Sequence, residues 1–219
     1  ARLLGPETDF SSFYRLAERD PLLRTLAARF RGLKPPRFPT LFECLVNAIA
    51  CQQLTLTVGI RLLNRLAKGH GTTPANGVLH AFPVSTRLAG LAPETLRPLG
   101  FSAAKARSIV ELAAGIGAGT FDPSAIERLD DREALQALLR LRGVGRWTAE
   151  YALLRGLGRL HVFPGDDVGA RNNLARWLGS RGPLDYARVQ AAVSHWQPFA
   201  GLVYFHLLLA NLAERGTLT

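Results

Sequence analysis

The chain has 219 residues, 47% of them hydrophobic and 20% charged, with a formal net charge of +10 at pH 7. That length can bury a sizeable core as one large domain or two small ones, and no run approaches the roughly 20 uninterrupted apolar residues of a membrane span. Two cysteines cannot supply the four thiolates of an iron–sulfur cluster, and the histidines at 70, 80, 161, 195 and 206 lack metal-ligand spacing.

Nearly every segment reads helical. Residues 10–20, FSSFYRLAERD, carry apolar side chains at helical spacing, and Asp20-Pro21 opens a second helix, PLLRTLAARF, because proline suits a first helical turn and not a later one. GLKPPRFP, residues 32–39, is a stiff linker. Thr40 then caps TLFECLVNAIACQQLT, in which Phe42, Leu45, Val46 and Ile49 form one apolar stripe. Cys44 and Cys51 share a face of that helix but stand about 10 Å apart along its axis. A disulfide needs Cα atoms within about 7 Å, so both read as small buried thiols.

LTVGIRLLNRLAKG is a further helix that Gly69 should end. Residues 70–90, rich in Gly, Pro, Thr and Ser, read as loop. Residues 93–119 hold two short helices around Leu99-Gly100, and residues 131–158 hold two more around Gly143-Val144-Gly145. After a Pro164-Gly165 loop come DVGARNNLARWLGS and a long apolar tail in which GLVYFHLLLANLA is a buried helix. No alternating strand pattern competes, so the fold class is all-α.

The charge points to a partner. Of 27 basic residues only Lys34, Lys68 and Lys105 are lysine, and arginine grips phosphate with a planar fork that lysine lacks. An arginine-rich genome explains the ratio but not the surplus of positive charge, which favours a polyanion and nucleic acid first.

The most informative stretch is LRGVGRWTAEYALLRGLGRLHVFPGDDVG, residues 141–169. Gly143 and Gly145 permit a tight corner with positive φ. Beyond it the next helix begins with unpaired N–H groups at its positive dipole end, a ready site for a DNA phosphate, and Arg142 and Arg146 bracket the turn. Trp147, Tyr151 and Leu154, at i, i+4 and i+7, share one helix face. They suit either core packing or stacking on a base, best of all a cationic one. One of Asp166 and Asp167 is the natural N-cap of the following helix, and the other lies beside its positive end. A carboxylate beside a base pocket can stabilise oxocarbenium character on a sugar or orient a water. The residues alone do not say which aspartate does which.

LRGVGRWTA, followed by a Gly/Pro-rich loop and an aspartate, resembles the helix–hairpin–helix DNA glycosylase superfamily. FECLVNAIACQQLT, LGFSAAKARSI, GRWTAEYALLRGLG and VFPGDD narrow the likeness to its 3-methyladenine DNA glycosylase II branch, over residues 20–214. The resemblance implies two helical lobes with a cleft between them. One would comprise residues 1–38 with 168–219. The other, 39–167, would carry the helix–hairpin–helix (about 131–156) and the catalytic loop. It also implies that the N-terminal β domain of longer relatives is missing.

Carried over by position, Asp167 matches the catalytic carboxylate, leaving Asp166 to cap its helix. Trp147 and Tyr151 match the base pocket. Gly143, Val144, Gly145, Arg146 and Thr148 match the DNA-backbone contacts, and Gln52 and Gln53 the wedge in the minor groove. The main-chain carbonyls of Leu139, Leu141 and Gly143 match a Na+ or K+ site, with no other cofactor required. Bifunctional relatives carry a lysine where this chain has Trp147, and another pocket aromatic aligns near Leu208. The implied enzyme is a monofunctional glycosylase that flips alkylated bases out of double-stranded DNA and leaves an abasic site. It would act as a cytoplasmic monomer with no membrane association. Deaminated, oxidised or etheno bases as substrates, and a non-catalytic DNA-gripping module, are the alternatives.

Overall fold

A computed structural model describes residues 9–73, 77 and 79–216. Among them there is no β-strand. In chain order the α-helices are α1 (Ser11–Arg19), α2 (Pro21–Arg29), α3 (Leu41–Cys51), α4 (Leu56–His70), α5 (Ser85–Leu88), α6 (Ala103–Gly117), α7 (Pro123–Arg128), α8 (Asp131–Leu139), α9 (Arg146–Tyr151), α10 (Val168–Trp177), α11 (Tyr186–Val193) and α12 (Ala200–Glu214). Tighter 3-10 turns cover Pro93–Leu99 and Ser194–Trp196, and a π turn at Ala152–Gly156 extends α9.

The helix starts follow local chemistry. Asp20 accepts from the amides of Leu22 and Leu23 with Pro21 at the first position, and Thr40 accepts from Glu43 N. Thr55, Ser102, Asp130 and Asp185 cap α4, α6, α8 and α11 in the same way. Each such cap stabilises its helix by about 1 kcal/mol.

Three expectations need correction. Helix α4 runs past Gly69 to His70, and Gly71 is its C-cap; a glycine inside a helix costs at most about 1 kcal/mol, so one in the last turn need not end it. Residues 70–90 are not all loop, because Ser85–Leu88 forms α5 around the buried Leu88. The first of the two elements around Leu99-Gly100 is a 3-10 turn with Pro98 inside it, and the second is 15 residues long.

The chain divides into two compact units, Ala1–Arg37 with Leu153–Thr219, and Phe38–Ala152. The expected boundary at 167/168 therefore moves to 152/153. The reason is packing: Leu154 and Phe163 lie in a core with Phe13, Leu23, Leu174, Val193, Trp196 and Phe205, and Leu160 O accepts from the amides of Gly201 and Leu202 at 2.7 and 3.2 Å. The loop bearing the aspartate pair thus belongs with α1, α2 and α10–α12. Burying the indole of Trp196 requires a partner for its N–H, and Asp20 Oδ2 accepts it at 2.6 Å.

In the other unit α3 is the central element, packed against α4, α6 and α9. Its buried residues, Leu41, Phe42, Cys44, Leu45, Val46, Ala48, Ile49 and Ala50, lie on nearly all sides. That is what a helix enclosed by others requires.

Candidate active site

The hairpin is built by α8, the Gly143-Val144-Gly145 turn and α9. Gly143 has φ +76°, and a Cβ there would run into the side chain of Ser108 on α6. Glycine is therefore required twice over, by backbone and by space. Gly143, Gly145 and Arg146 are exposed, as a phosphate-facing turn needs. Arg142 is exposed too, and pairs with Glu111 at 2.7 Å. The side chains of Val144 and Thr148, by contrast, face inward. Val144 is buried and its amide donates to Leu141 O at 3.2 Å. Thr148 is 1% exposed, and its hydroxyl accepts from Gln52 at 2.9 Å.

Gln52 is likewise not a free wedge. Its amide nitrogen donates to Gly143 O at 2.8 Å as well as to Thr148, so it braces the hairpin. Gln53, next along, is exposed and adopts φ +55°, the left-handed region that side chains other than glycine rarely occupy. The turn bearing it is held from beneath by Lys105, whose Nζ donates to Ala50 O at 2.9 Å and Gln52 O at 2.7 Å. Burial holds this ammonium below the ordinary lysine range, with Cys51 opposing that shift, and burial pushes the neighbouring Cys51 thiol up. Lys105 was not among the sequence candidates; it closes the C-terminal carbonyls of α3, a role its position in LGFSAAKARSI does not announce.

Trp147 and Tyr151 are both half-buried. Their rings lie 5.5 Å apart at 32°, and Phe38 follows at 6.3 Å from Tyr151. Leu154 leaves the stripe. The π turn beginning at Ala152 rotates it into the core of the other unit, where it is 1% exposed. Such bulges frequently mark functional segments. A cavity of about 200 Å³ behind the hairpin, lined by Ile49, Ser108, Leu141 and Val144 among others, includes neither aromatic.

The aspartate loop is fixed from several sides. Gly165 approaches α11 so closely that a Cβ would meet the Tyr186 ring at 2.7 Å. Gln190 Nε2 donates to Phe163 O at 3.3 Å, and Asp167 N closes a turn onto Pro164 O at 3.0 Å. That turn decides the cap. Asp167, not Asp166, is the N-cap of α10, its Oδ1 accepting from Ala170 N at 2.8 Å, and Asp166 sits half-buried one residue earlier. Asp167 Oδ2 accepts from the Tyr204 hydroxyl at 3.2 Å. Tyr204, too, was absent from the sequence candidates. Leu208, the position of a further pocket aromatic in relatives, is half-buried on the same helix, α12.

One unit thus carries the hairpin with its exposed glycines and half-buried aromatic pair, and the other carries the helix-capping aspartate. Residues 46–198 match the family described as HhH-GPD superfamily base excision DNA repair protein. The chain belongs to that superfamily, the DNA glycosylase class of base excision repair enzymes. It is 32% identical over 207 residues to the DNA-3-methyladenine glycosylase of Bacillus subtilis, covering 92% of this chain and 68% of that protein. The 3-methyladenine DNA-glycosylase from Archaeoglobus fulgidus has a similar structure, with a TM-score of 0.82 at 29% identity over 92% of this chain and 69% of that one. So does the Schizosaccharomyces pombe 3-methyladenine DNA glycosylase Mag1 in complex with abasic DNA, with a TM-score of 0.77 at 26% identity over 90% and 94%. The chain spans about two thirds of the length of the Bacillus and Archaeoglobus relatives. Among the described residues no helix is long and apolar enough to cross a membrane.

Proposed function

We propose that this chain binds double-stranded DNA, flips out alkylated bases such as 3-methyladenine and 7-methylguanine, and hydrolyses their N-glycosidic bonds to leave abasic sites. The observation that carries the reading is Asp167. A carboxylate fixed at the start of a helix, in a loop rigidified by Gly165, is what a sugar acquiring positive charge at C1′ requires. The Trp147–Tyr151 pair supplies the electron-rich faces that favour a cationic base. Alkylation at a ring nitrogen already makes the purine a good leaving group, so a stacking surface and one carboxylate suffice without a dedicated acid.

Helix α9, RWTAEY, contains no lysine. The reaction is therefore read as monofunctional: water, not an amine, takes the sugar carbon, and the strand stays uncut. Gly143, Gly145 and Arg146 grip the backbone, and Gln53 enters the space the base vacates. A Na+ or K+ ion would be held by the carbonyls of Leu139, Leu141 and Gly143, neutral oxygens that suit a hard cation. Those of Leu141 and Gly143 each already accept one hydrogen bond, from Val144 N and Gln52 Nε2, leaving each a second lone pair. Such an ion would add positive charge at the hairpin for a phosphate.

The test is base release from a panel of lesion duplexes, with Asp167→Asn as control. Release of 7-methylguanine or 3-methyladenine without strand cleavage supports the assignment. Release confined to hypoxanthine, oxidised or etheno bases would move the substrate class, and DNA binding with no release would leave only a gripping module.

A further inference from the structure

We infer that Tyr204 is a positioning residue for Asp167, its hydroxyl fixing the second carboxylate oxygen so that the side chain meets the sugar in one orientation. The inference rests on the reading of Asp167 as the catalytic carboxylate and deepens it. An N-cap bond engages one carboxylate oxygen. Here Ala170 N holds Oδ1 at 2.8 Å. The other oxygen accepts from Tyr204 at 3.2 Å, and with both oxygens directed, rotation of the carboxylate plane is restricted as well as that of the side chain. An ionised carboxylate only accepts, so the tyrosine proton must be the one shared.

The surroundings of Tyr204 argue that the hydroxyl is there for that contact. It is 7% exposed, in a helix whose neighbouring residues Val203, Phe205 and Leu207 are all core. Its ring stands edge-on to Phe163 at 5.6 Å and to Phe205 at 5.7 Å. Phenylalanine would satisfy that packing without a polar atom to desolvate, and a buried hydroxyl is tolerated only against a partner. The partner lies 37 residues away in sequence, on the loop whose shape the chemistry depends on. Restricting a reacting group in advance is worth rate because the ordering is not repeated at each turnover.

Tyr204→Phe tests this, since it deletes the hydroxyl and keeps the ring. Two probes separate positioning from folding: duplex DNA carrying a pyrrolidine in place of the sugar, cationic at neutral pH, and the same duplex with a neutral tetrahydrofuran. The expected result is a kcat for 7-methylguanine release about tenfold lower, the scale of one hydrogen bond to a charged group, with KM unchanged. Affinity for the cationic duplex should fall in proportion while affinity for the neutral one holds. Phe163→Leu disturbs the same packing without touching the hydroxyl, and should lower thermal stability while leaving the ratio of the two affinities intact. A wild-type kcat and affinity ratio in Tyr204→Phe would overturn the inference, as would an equal loss for both duplexes. Asp167→Asn, run alongside, must slow release by about 10³-fold or more and remove the preference for the cationic duplex; if it does not, the fault lies with the catalytic assignment and not with Tyr204.

Discussion

Gln52, the C-cap of α3, donates its side-chain amide to the carbonyl of Gly143, 2.8 Å away across 91 residues of sequence. The same nitrogen reaches Thr148 at 2.9 Å, so one side chain ties the turn carrying Gln53 to the corner of the hairpin and to α9. The proposed wedge turn and the proposed phosphate grip are thereby joined within their unit.

Gln52→Ala should therefore weaken binding more than chemistry. Losing both bonds frees the hairpin, and the Kd for duplex DNA with an abasic mimic should rise about tenfold. Fluorescence anisotropy measures it; an unchanged Kd would mean that the hairpin holds its shape unaided.

Gly143→Ala forces a left-handed backbone on alanine and drives its Cβ into Ser108. The expected cost is about 2 kcal/mol, or a Tm lower by roughly 4–8 °C for a chain of this size. At Gly145 φ is −92° and a Cβ would meet nothing within 4 Å, so the same change should cost under about 1 kcal/mol. Calorimetry on the two variants distinguishes turn strain from a general intolerance of alanine.

His206 sets a pH dependence of stability. It is 1% exposed, Nδ1 bonds Leu202 O at 2.9 Å, and Phe13 stacks at 5.0 Å. Burial lowers its pKa below the ordinary 6.5 despite the Leu202 bond. The unfolded chain thus takes up a proton that the folded one refuses, and stability is lost as pH falls below about 6.5, by at most about 1.4 kcal/mol per pH unit. His206→Phe should flatten the fall in Tm between pH 7.5 and 5.5; an equal fall in both proteins would place the titrating group elsewhere.

Binding to duplex DNA should weaken steeply with salt, each neutralised phosphate adding about 0.9 to the log–log slope. Under the proposed phosphate grip, Glu111, 2.7 Å from Arg142, would compete with DNA for that guanidinium, so Glu111→Gln should tighten binding and steepen that slope by about one unit. Titrations at several salt concentrations check both; a flat profile would argue against the phosphate grip.

What was legible in the sequence was local. Asp20, Thr40 and the Gly143 corner could be read because caps and left-handed turns depend on neighbours a few residues away. The N-cap of α10 could not be read as Asp167 and not Asp166, since the start of α10 depends on the turn from Pro164 to Asp167 closing one residue later than a cap at Asp166 requires. Gln52 and Gln53 are identical in type, and only a tertiary contact and a left-handed backbone separate their roles. The unit boundary was misplaced because a π turn at Ala152 sends Leu154 into a different core, an event no 3.6-residue periodicity signals. Tyr204 and Lys105 act through groups 37 and more than 50 residues away, beyond the reach of pattern.

The most direct measurement is single-turnover release of 7-methylguanine by Asp167→Asn beside Asp166→Asn. Asparagine still caps α10, so the fold is kept while the charge is removed. Release should slow by about 10³-fold or more in the Asp167 variant, and stay within about tenfold of wild type in the Asp166 variant. Wild-type release by Asp167→Asn, or loss confined to Asp166→Asn, would contradict the account.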